Sequence, residues 1–403
     1  MTTELRATLH ERVNQGHARV VEWRRAIHAY PELAYQEHRT AELAARILGE
    51  LGAEVRTGLA GTGVVGIVRG RGPGKTIAVR ADMDALPLTE ETGLPFASQN
   101  PGVMHACGHD SHVAMALGAA QVLAGLRNQF DGQVMIICEP NEETLDSQQE
   151  AGAYRLVREG VLDDPKVDLV LGQHVYPEWP AGQVALRAGT IMTGYDYVDL
   201  AILGTTAHTS TSHKGADAIV AAAQVVTALQ TLASRELDPM ESAIVHLGTI
   251  SGGTKRNILA DRVELTGTIR ISDQSQRDSL QERIERIVTG VTSALRCSYE
   301  ITFRRVLPAV VNDPEYTAMV GAVATDLYGP AGVAWMPMPR PTAESFHIYG
   351  EGRPAAFWLL GVGNAAKGWE WASHHPRFML DEDGMKAGVA VLAGSCLRAL
   401  GAW

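Results

Sequence analysis

The sequence predicts an α/β protein in which a small α+β domain interrupts a larger α/β domain. Short apolar strands alternate with helices over residues 1–190 and again over 310–403, which indicates a mainly parallel sheet covered on both faces. Residues 191–309 follow the order β-α-β-β-α-β, the self-contained split βαβ motif. A chain of 403 residues is also longer than a single core usually serves, so two domains are expected.

The larger domain begins with two helices that Pro31 separates, and the second helix runs from Thr40 to Leu51 before Gly52. Glycine-punctuated β-rich runs, a helix and an apolar strand follow, and one more helix returns the chain to this domain after the insertion. These elements are expected at 63–68, 76–82, 113–126, 133–138 and 314–327.

The inserted domain contains four strands and two helices. The second helix carries its apolar residues on one stripe and its Glu and Arg residues on the opposite side, which is typical of a helix that covers a sheet. The strands are expected at 197–203, 243–250, 262–271 and 299–306, and the helices at 216–232 and 275–295.

Composition excludes several classes of protein. The net charge of −11 provides no basic stripe, so nucleic acid is not an expected partner. Four scattered cysteines do not form a disulfide framework, and reduced thiols fit the cytoplasm. The N-terminus lacks an apolar signal core and no long uncharged apolar run follows, so we expect a soluble, cytoplasmic protein without a membrane partner.

The most informative motif lies at residues 104–112, where Cys107 and His109 flank Gly108. Cys thiolate and His nitrogen are ligands for a borderline-soft divalent metal such as Zn²⁺. Taken alone, such a pair is more often a buried cysteine beside an unrelated histidine.

Further candidate ligands strengthen the metal interpretation. Glu142 and Glu143 follow the strand that ends at Cys138, His174 follows the apolar run 167–171, and His374 precedes His375 and Pro376. Loops beyond the carboxyl ends of strands are where open α/β sheets bind ligands. Adjacent glutamates in an extended segment point apart, so one can bind metal while the other faces a substrate. The set predicts a metal-dependent hydrolase.

Several motifs together resemble one known family. The chain is similar to the amidohydrolase branch of the aminoacylase/carboxypeptidase family of dinuclear metallopeptidases, which includes hippurate hydrolases, auxin-conjugate hydrolases and N-acyl amino acid hydrolases. The resemblance spans nearly the whole chain and rests on residues 24–28, 31–33, 80–87, 104–110, 252–258, 267–270 and 374–376.

The resemblance implies a metallopeptidase-type catalytic domain (1–190 and 310–403) with a ferredoxin-like lid and dimerisation domain (191–309). Two divalent metal ions per subunit, Zn, Mn, Co or Ni, would be held by Cys107 (bridging), His109, Glu143, His174 and His374. Glu142 would be the general base, and Asp84 would support the ligands.

The lid would form a homodimer, and its His208 would reach into the partner's site. Asn257 and Arg270 would bind a substrate carboxylate. The expected function is hydrolysis of the amide bond of N-acyl amino acids or similar small amides. A dipeptidase or carboxypeptidase using the same site, or a non-catalytic metal-binding homologue, is the alternative.

The chemistry agrees with this expectation. A metal lowers the pKa of bound water from 15.7 toward ~7, and two metals can stabilise the attacking and developing oxygens together. A neighbouring carboxylate that takes the water's proton and passes it to the leaving nitrogen contributes roughly 10²–10⁴ in rate. A histidine on a lid would complete the site when the lid closes.

Other interpretations of single residues remain open at this point. His208 is otherwise a surface-loop histidine, and Arg270 is otherwise a cation at a strand end. His213 is either a second site histidine or a residue at a helix start, and His112 is more consistent with a structural role. Asp82 stays unassigned between ligand and support, and a shift of one residue between His374 and His375 is open.

The chain also departs from the family pattern. Residues 144–150 replace a glycine-rich turn, and Ser212, Ala218 and Ala260 stand where proline is common. Glu344-Ser345-Phe346 replaces the usual Glu-Asp-Phe. None of the expected ligands is missing, so we expect an active enzyme with an atypical pocket.

Overall fold

A computed structural model describes residues 3–143, 150–237 and 243–403 of the chain. The chain divides into two compact units. The first unit comprises Met1–Ile191, Val311–Met338 and Ser345–Trp403, and the second comprises Met192–Val310 and Pro339–Glu344.

The described residues form α-helices and strands in alternation. The helices are α1 (Thr3–His28), α2 (His38–Glu50), α3 (His109–Gly125), α4 (Gly152–Arg158), α5 (Ala218–Leu229), α6 (Arg277–Ala294), α7 (Pro314–Tyr328) and α8 (Met385–Ala399). The strands are β1 (Glu54–Leu59), β2 (Gly63–Arg69), β3 (Thr76–Asp82), β4 (Gln133–Glu139), β5 (Leu169–Pro180), β6 (Val184–Leu186), β7 (Gly189–Met192), β8 (Gly194–Leu203), β9 (Ala243–Gly252), β10 (Arg262–Ile271), β11 (Ser298–Leu307), β12 (Val310–Asn312), β13 (Val333–Trp335) and β14 (Ala355–Gly363).

The first unit is built on an eight-stranded sheet in the order β1-β2-β4-β3-β5-β14-β6-β13. Its centre is parallel, because β3 pairs in parallel with both β4 and β5, and β5 pairs in parallel with β14. The pairs β1–β2, β2–β4 and β14–β6 are antiparallel. The predicted α/β class is confirmed: four of the seven neighbouring strand pairs that the described residues form in this sheet, β13–β6 included, are parallel and three are antiparallel.

Helix α3 lies at the centre of the first unit's core. It is apolar almost all round, and Val113, Met115, Leu117 and Leu123 are all fully buried. A helix that is apolar on every side is stable only when other elements surround it. Here α1, α8 and strand β3 contact α3. The start of α3, which carries His109, is therefore fixed by packing on several sides.

The second unit is a four-stranded antiparallel sheet in the order β11-β8-β10-β9, with helices α5 and α6 in contact with each other and with its strands. Its core includes Val198, Leu200 and Ile202 of β8 with Ala221 and Val225 of α5. Strands of this kind alternate inward and outward side chains. Residues 339–344 also belong to this unit, because Thr193 donates its backbone N–H to the Arg340 carbonyl at 3.0 Å.

One stretch, Ala218–Glu236, has the length and hydropathy of a membrane-crossing helix. It consists of α5 and the π-helical turn Leu232–Glu236. Ala218, Ala222 and Leu229 are buried in the core of the second unit, as expected for a helix that packs on a sheet.

Candidate metal centre

The candidate ligands of the first unit gather at one edge of its sheet. Asp82 is the last residue of β3, Glu142 and Glu143 follow β4, and His174 lies within β5. These three strands are parallel neighbours, so their carboxyl ends meet at the same edge. Sequence order alone separates these residues widely, and the sheet brings them together.

Gly108 places Cys107 and His109 on either side of a tight turn at the start of α3. Its φ is +89°, a region that favours glycine, and an added Cβ would lie 2.3 Å from Cγ2 of Val175. Cys107 Sγ then lies 3.3 Å from Nε2 of His174. A larger residue at 108 would displace either β5 or the ligand pair.

His374 reaches the cluster from the loop between β14 and α8. Its Nε2 lies 3.3 Å from Oε1 of Glu143, and its backbone N–H donates to the Ala106 carbonyl at 2.8 Å. Its φ is +68°, which histidine adopts more readily than most residues. The His375 ring stacks instead on Trp371, with centroids 4.2 Å apart, and its Nδ1 accepts the Arg377 N–H. The structure thus brings His374 of this pair to Glu143.

Four overlapping groups of side chains have ligand atoms within 4.8 Å of one another. Three of the groups contain only residues of the expected set together with Glu142: Cys107–His109–His174, Cys107–Glu143–His374 and His109–Glu142–Glu143. Among the described residues, His109 Nε2 and Glu143 Oε1 are buried without a hydrogen-bond partner. Buried polar atoms are normally satisfied, so these two atoms fit a site that an ion completes.

His112 lies beside the candidate ligands, with both of its ring nitrogens in hydrogen bonds. Val175 donates its N–H to His112 Nε2 at 2.9 Å, so this nitrogen must act as an acceptor. Nδ1 therefore carries the hydrogen, which it donates to Asp82 Oδ1 at 2.6 Å. Although Asp82, His109 and His112 also form a compact group, both nitrogens of His112 are already engaged.

Asp84 and Asp82 both contact the candidate ligands. Asp84 accepts the backbone N–H of Glu143 at 2.9 Å and lies 3.3 Å from Nδ1 of His109. Asp82 Oδ2 accepts from Arg80 at 2.7 Å and lies 3.5 Å from His109 Nε2. Carboxylates behind a ligating histidine commonly fix its orientation and tautomer.

The electrostatics of the cluster suit proton release on metal binding. Burial, reinforced by the charge of Glu143, raises the pKa of the Cys107 thiol well above its usual range. Burial and the neighbouring His112 ring hold the pKa of His174 well below its usual range, so His174 is a neutral donor. A cysteine must lose its proton to bind a metal, so metal binding at Cys107 is coupled to pH.

Neighbouring charges favour the ionised forms of Glu143 and His109. Burial would raise the pKa of Glu143, but the contact with His374 at 3.3 Å and the charge of His109 lower it. Burial would lower the pKa of His109, but the charge of Asp82 and the contact with Asp84 raise it. The close contact with the Glu143 carboxylate also raises the pKa of His374. A cation at this point would replace the protons on these histidines.

Glu142 lies beside the cluster, and its side chain is buried. Its Oε1 accepts the backbone N–H of Ser345 at 3.1 Å. Asn141, immediately before it, has φ +50° and turns the chain after β4. Residues 144–149, most of the loop that replaces the family's glycine-rich turn, lie outside the described residues.

Sequence reasoning missed Glu37, which fixes this turn. Its carboxylate accepts the backbone N–H groups of Tyr35 and Asn141, each at 2.9 Å, and the Thr62 hydroxyl at 2.5 Å. Burial and the negative charge of Asp84 raise the pKa of Glu37 to about 7. Glu37 precedes helix α2 in sequence and carried no motif signal.

The remaining candidate residues belong to the second unit. His208 caps the short helix Thr209–Lys214, and its Nδ1 accepts the N–H of Ser210 at 3.2 Å. It is exposed and bridges to Ile258, next to Asn257. His213 is an exposed member of the same short helix. The structure brings His208 and Asn257 together.

Arg270 lies at the other end of β10. It is paired in register with Tyr195 and Ile244, and its guanidinium lies 5.3 Å from the Tyr195 ring centroid. Asn257 lies in the connection before Arg262, where β10 begins, and Arg262 is about 25 Å from Arg270 at 3.3 Å per residue. The structure therefore does not bring Asn257 and Arg270 of one chain together.

A cluster of Cys, His and Glu ligands at the carboxyl edge of an α/β sheet, with a spare glutamate beside it, defines a metal-dependent hydrolase. Comparison with known proteins agrees. The family model described as peptidase family M20/M25/M40 matches residues 78–398, and the chain belongs to this family.

Two similar proteins are named as a carboxypeptidase and an amidohydrolase. A thermostable carboxypeptidase from Saccharolobus solfataricus is 38% identical over 372 residues, 92% of each chain. An N-acyl-L-amino acid amidohydrolase from Geobacillus stearothermophilus is 39% identical over 296 residues, 73% of this chain and 78% of that protein. The crystal structure of a dinuclear metal-binding peptidase of the M20 family from Bacillus subtilis has a TM-score of 0.84 and 31% identity, and the match covers 97% of this chain and 100% of that one. The protein is a metal-dependent amidohydrolase, as the sequence predicted.

Proposed function

We propose that the protein hydrolyses the amide bond of N-acyl amino acids, or of similar amides that carry a free carboxylate, and that Glu142 is the general base. The observation that carries this proposal is the group His109–Glu142–Glu143, in which a second glutamate lies against the candidate ligands. A relative named as an N-acyl-L-amino acid amidohydrolase supports the substrate class.

We assign two divalent metal ions to Cys107, His109, Glu143, His174 and His374. His109 Nε2 and Glu143 Oε1, buried without a hydrogen-bond partner among the described residues, support an ion at this point. The Bacillus subtilis relative described as dinuclear supports two ions per chain. When bound, the metals supply Lewis acidity that acidifies water and polarises the substrate carbonyl. The thiolate of Cys107 favours Zn²⁺, whereas Mn²⁺, Co²⁺ and Ni²⁺ suit the other donors and depend on supply.

Glu142 moves the proton. Its carboxylate accepts a proton from the attacking water and passes it to the leaving nitrogen, which departs as an amine. The N–H of Ser345 donates to Oε1 of this carboxylate at 3.1 Å, which fixes the direction of the side chain. Asp84 keeps Glu143 and His109 in place while Glu142 acts.

We propose that the substrate carboxylate is bound by residues of two copies of the chain. Within one chain, Arg270 and Asn257 lie at opposite ends of β10, so they cannot clamp one carboxylate together. Asn257 of the partner subunit would join Arg270, and the partner's His208 would stabilise the developing oxyanion. His208 and Asn257 are neighbours, so one partner loop would supply both groups.

Strand β9 supports this homodimer. It is an edge strand in the sheet order, and Ile244 and Ile250 on it are 43% and 59% exposed. Unpaired edges with exposed apolar residues favour pairing with another chain. Antiparallel pairing of β9 with its copy would bring the Gly252 end of one chain to the Ala243 end of the other. Because Ala243 pairs with Ile271, the loop carrying the partner's Asn257 would approach Arg270.

We also assign the protein to the cytoplasm. Its four cysteines are all free, and unpaired thiols fit a reducing compartment. The dimer interface and this location are both open to direct test.

A hydrolysis panel tests the function. The protein is stripped with chelator, resupplied singly with Zn²⁺, Mn²⁺, Co²⁺ or Ni²⁺, and assayed for released amine on N-acetyl, N-benzoyl, long-acyl and indole-acetyl amino acids, plain dipeptides and carboxylate-free amides. Metal-dependent cleavage of an N-acyl series is the expected result. Preference for the plain dipeptides would identify a dipeptidase instead, and no cleavage of any substrate would overturn the proposal.

A further inference from the structure

Ser345 lies at the junction of the buried groups behind Glu142. Its backbone N–H donates to Glu142 Oε1 at 3.1 Å, and its hydroxyl donates to Glu139 Oε1 at 2.8 Å. The same hydroxyl accepts from NH2 of Arg80 at 2.8 Å. Ser345 is fully buried, so these contacts are shielded from water.

Two buried carboxylates, Asp82 and Glu139, already face the guanidinium of Arg80 beside Ser345. Arg80 is 2% exposed and pairs with Asp82 at 2.7 Å and with Glu139. Glu139 also accepts from the Tyr349 hydroxyl at 3.1 Å and the Ala153 N–H at 3.0 Å. The family pattern has aspartate where Ser345 stands, which would put a further negative charge against Glu139. In this chain Glu139 is one of the two carboxylates that face Arg80, and position 345 is neutral.

We propose that Ser345 is a positioning residue for Glu142, and that its hydroxyl fixes the backbone N–H that holds the base. The Arg80–Glu139 pair anchors the hydroxyl from two sides, so the direction of the neighbouring N–H is set by buried charges. This inference rests on the proposed role of Glu142. Position 345 is then best occupied by a neutral residue, because Glu139 already carries a negative charge there. Substitutions at positions 139 and 345 should therefore have non-additive effects on kcat.

The main test compares kcat, KM and bound metal for Ser345→Ala with the wild-type holoenzyme. Removal of the hydroxyl leaves the N–H free to shift, and small displacements of a catalytic group reduce rate by up to about 100-fold. We expect kcat to fall about 10- to 100-fold, with KM within about twofold and metal content unchanged. Ser395→Ala is the matched control, because Ser395 is equally buried and its hydroxyl has no partner among the described residues.

A charge-swap cycle gives the second readout. Ser345→Asp should lose at least as much kcat as Ser345→Ala, because its new carboxylate would lie against the buried carboxylate of Glu139. Glu139→Gln should also lose kcat, since it removes the buried carboxylate that pairs with Arg80 and accepts the Ser345 hydroxyl. The double variant Glu139→Gln/Ser345→Asp restores a single carboxylate, and its kcat should return to within about fivefold of wild type.

The outcomes separate this inference from the proposed function. If the wild-type protein hydrolyses substrate and Ser345→Ala has the same kcat, the positioning role of Ser345 is overturned and the proposed function stands. If the loss of kcat in the double variant is at least the product of the losses in the two single variants, positions 139 and 345 are not coupled in the way proposed. Should Ser345→Asp fail to fold, the kcat of Ser345→Ala decides alone. Absence of wild-type turnover overturns the proposed function and this inference with it.

Discussion

The backbone N–H of Asn141 donates to the carboxylate of Glu37 at 2.9 Å, which ties the turn before Glu142 to the start of helix α2. The carboxylate is fully buried and also lies near the negative charge of Asp84. Glu37 thus holds the turn that carries both glutamates of the candidate site, although it touches neither of them in the described contacts.

The raised pKa of Glu37 predicts a pH-dependent stability in the metal-free protein. Burial and Asp84 raise this pKa from 4.5 to about 7, so the folded state holds a proton that the unfolded state releases. The associated stability is fully present below pH 4.5 and is lost as the pH rises to about 7, a change of roughly 3 kcal/mol.

Denaturant unfolding of the chelator-treated protein between pH 4.5 and 8 measures this change. Glu37→Gln should lack the decline, whereas Glu42→Gln, on the exposed side of α2, should retain it. Parallel stability curves for wild type and Glu37→Gln would show that Glu37 is ionised throughout this range.

Glu142→Gln should reduce turnover by roughly 10²–10⁴-fold, because an amide cannot accept the proton of the attacking water. Metal content should stay at the wild-type level, since the ligands are other side chains. The measurements are kcat and metal content by mass spectrometry. Glu50→Gln, on the exposed end of α2, controls for loss of a carboxylate. Wild-type kcat in Glu142→Gln would remove this residue as the base.

Arg270→Ala should raise KM for carboxylate substrates by about 10-fold or more and leave KM for carboxylate-free amides nearly unchanged. A charge-assisted hydrogen bond contributes roughly 1.5–3 kcal/mol, which corresponds to this loss. Arg304→Ala is the control, since Arg304 also lies over a tyrosine of the same sheet, 4.6 Å from the Tyr197 ring. Equal losses for both substrate types would contradict the clamp.

Ile250→Lys should convert the proposed homodimer to monomers, because it places a charge on the exposed edge strand β9. Analytical ultracentrifugation measures the mass, and activity should fall with dimer content because the partner's His208 and Asn257 are lost. Thr302→Lys, exposed on the opposite edge strand β11, should leave both unchanged. A wild-type protein that is monomeric and fully active would exclude the two-copy site.

Much of the fold follows from local sequence patterns. The apolar stripe of α6 and the alternation in β8 and β10 mark these elements directly, because one face of each must be buried. The strand order β1-β2-β4-β3-β5-β14-β6-β13 does not follow from such patterns. Pairing between β5 and β14, far apart in the chain, depends on three-dimensional packing that local periodicity does not encode.

The candidate site likewise contains residues that the sequence predicts and residues that it does not. Cys107, His109 and Glu143 carry ligand chemistry in short motifs, so they could be predicted as candidate ligands, and the structure brings them close together. The support given by Glu37 and Ser345 could not, because a lone glutamate or serine has no recognisable spacing and its partners lie far away in sequence. The separation of Asn257 from Arg270 along β10 likewise emerges only when strand register is known.

Metal titration of the chelator-treated protein tests the central claim most directly. Calorimetry and the rate of amide hydrolysis are followed together as a divalent metal is added. The account predicts metal binding that saturates at two equivalents per chain, with hydrolysis of an N-acyl amino acid restored over the same titration and proton release from Cys107. Full hydrolysis by the stripped protein, or saturation without any hydrolysis, would contradict it.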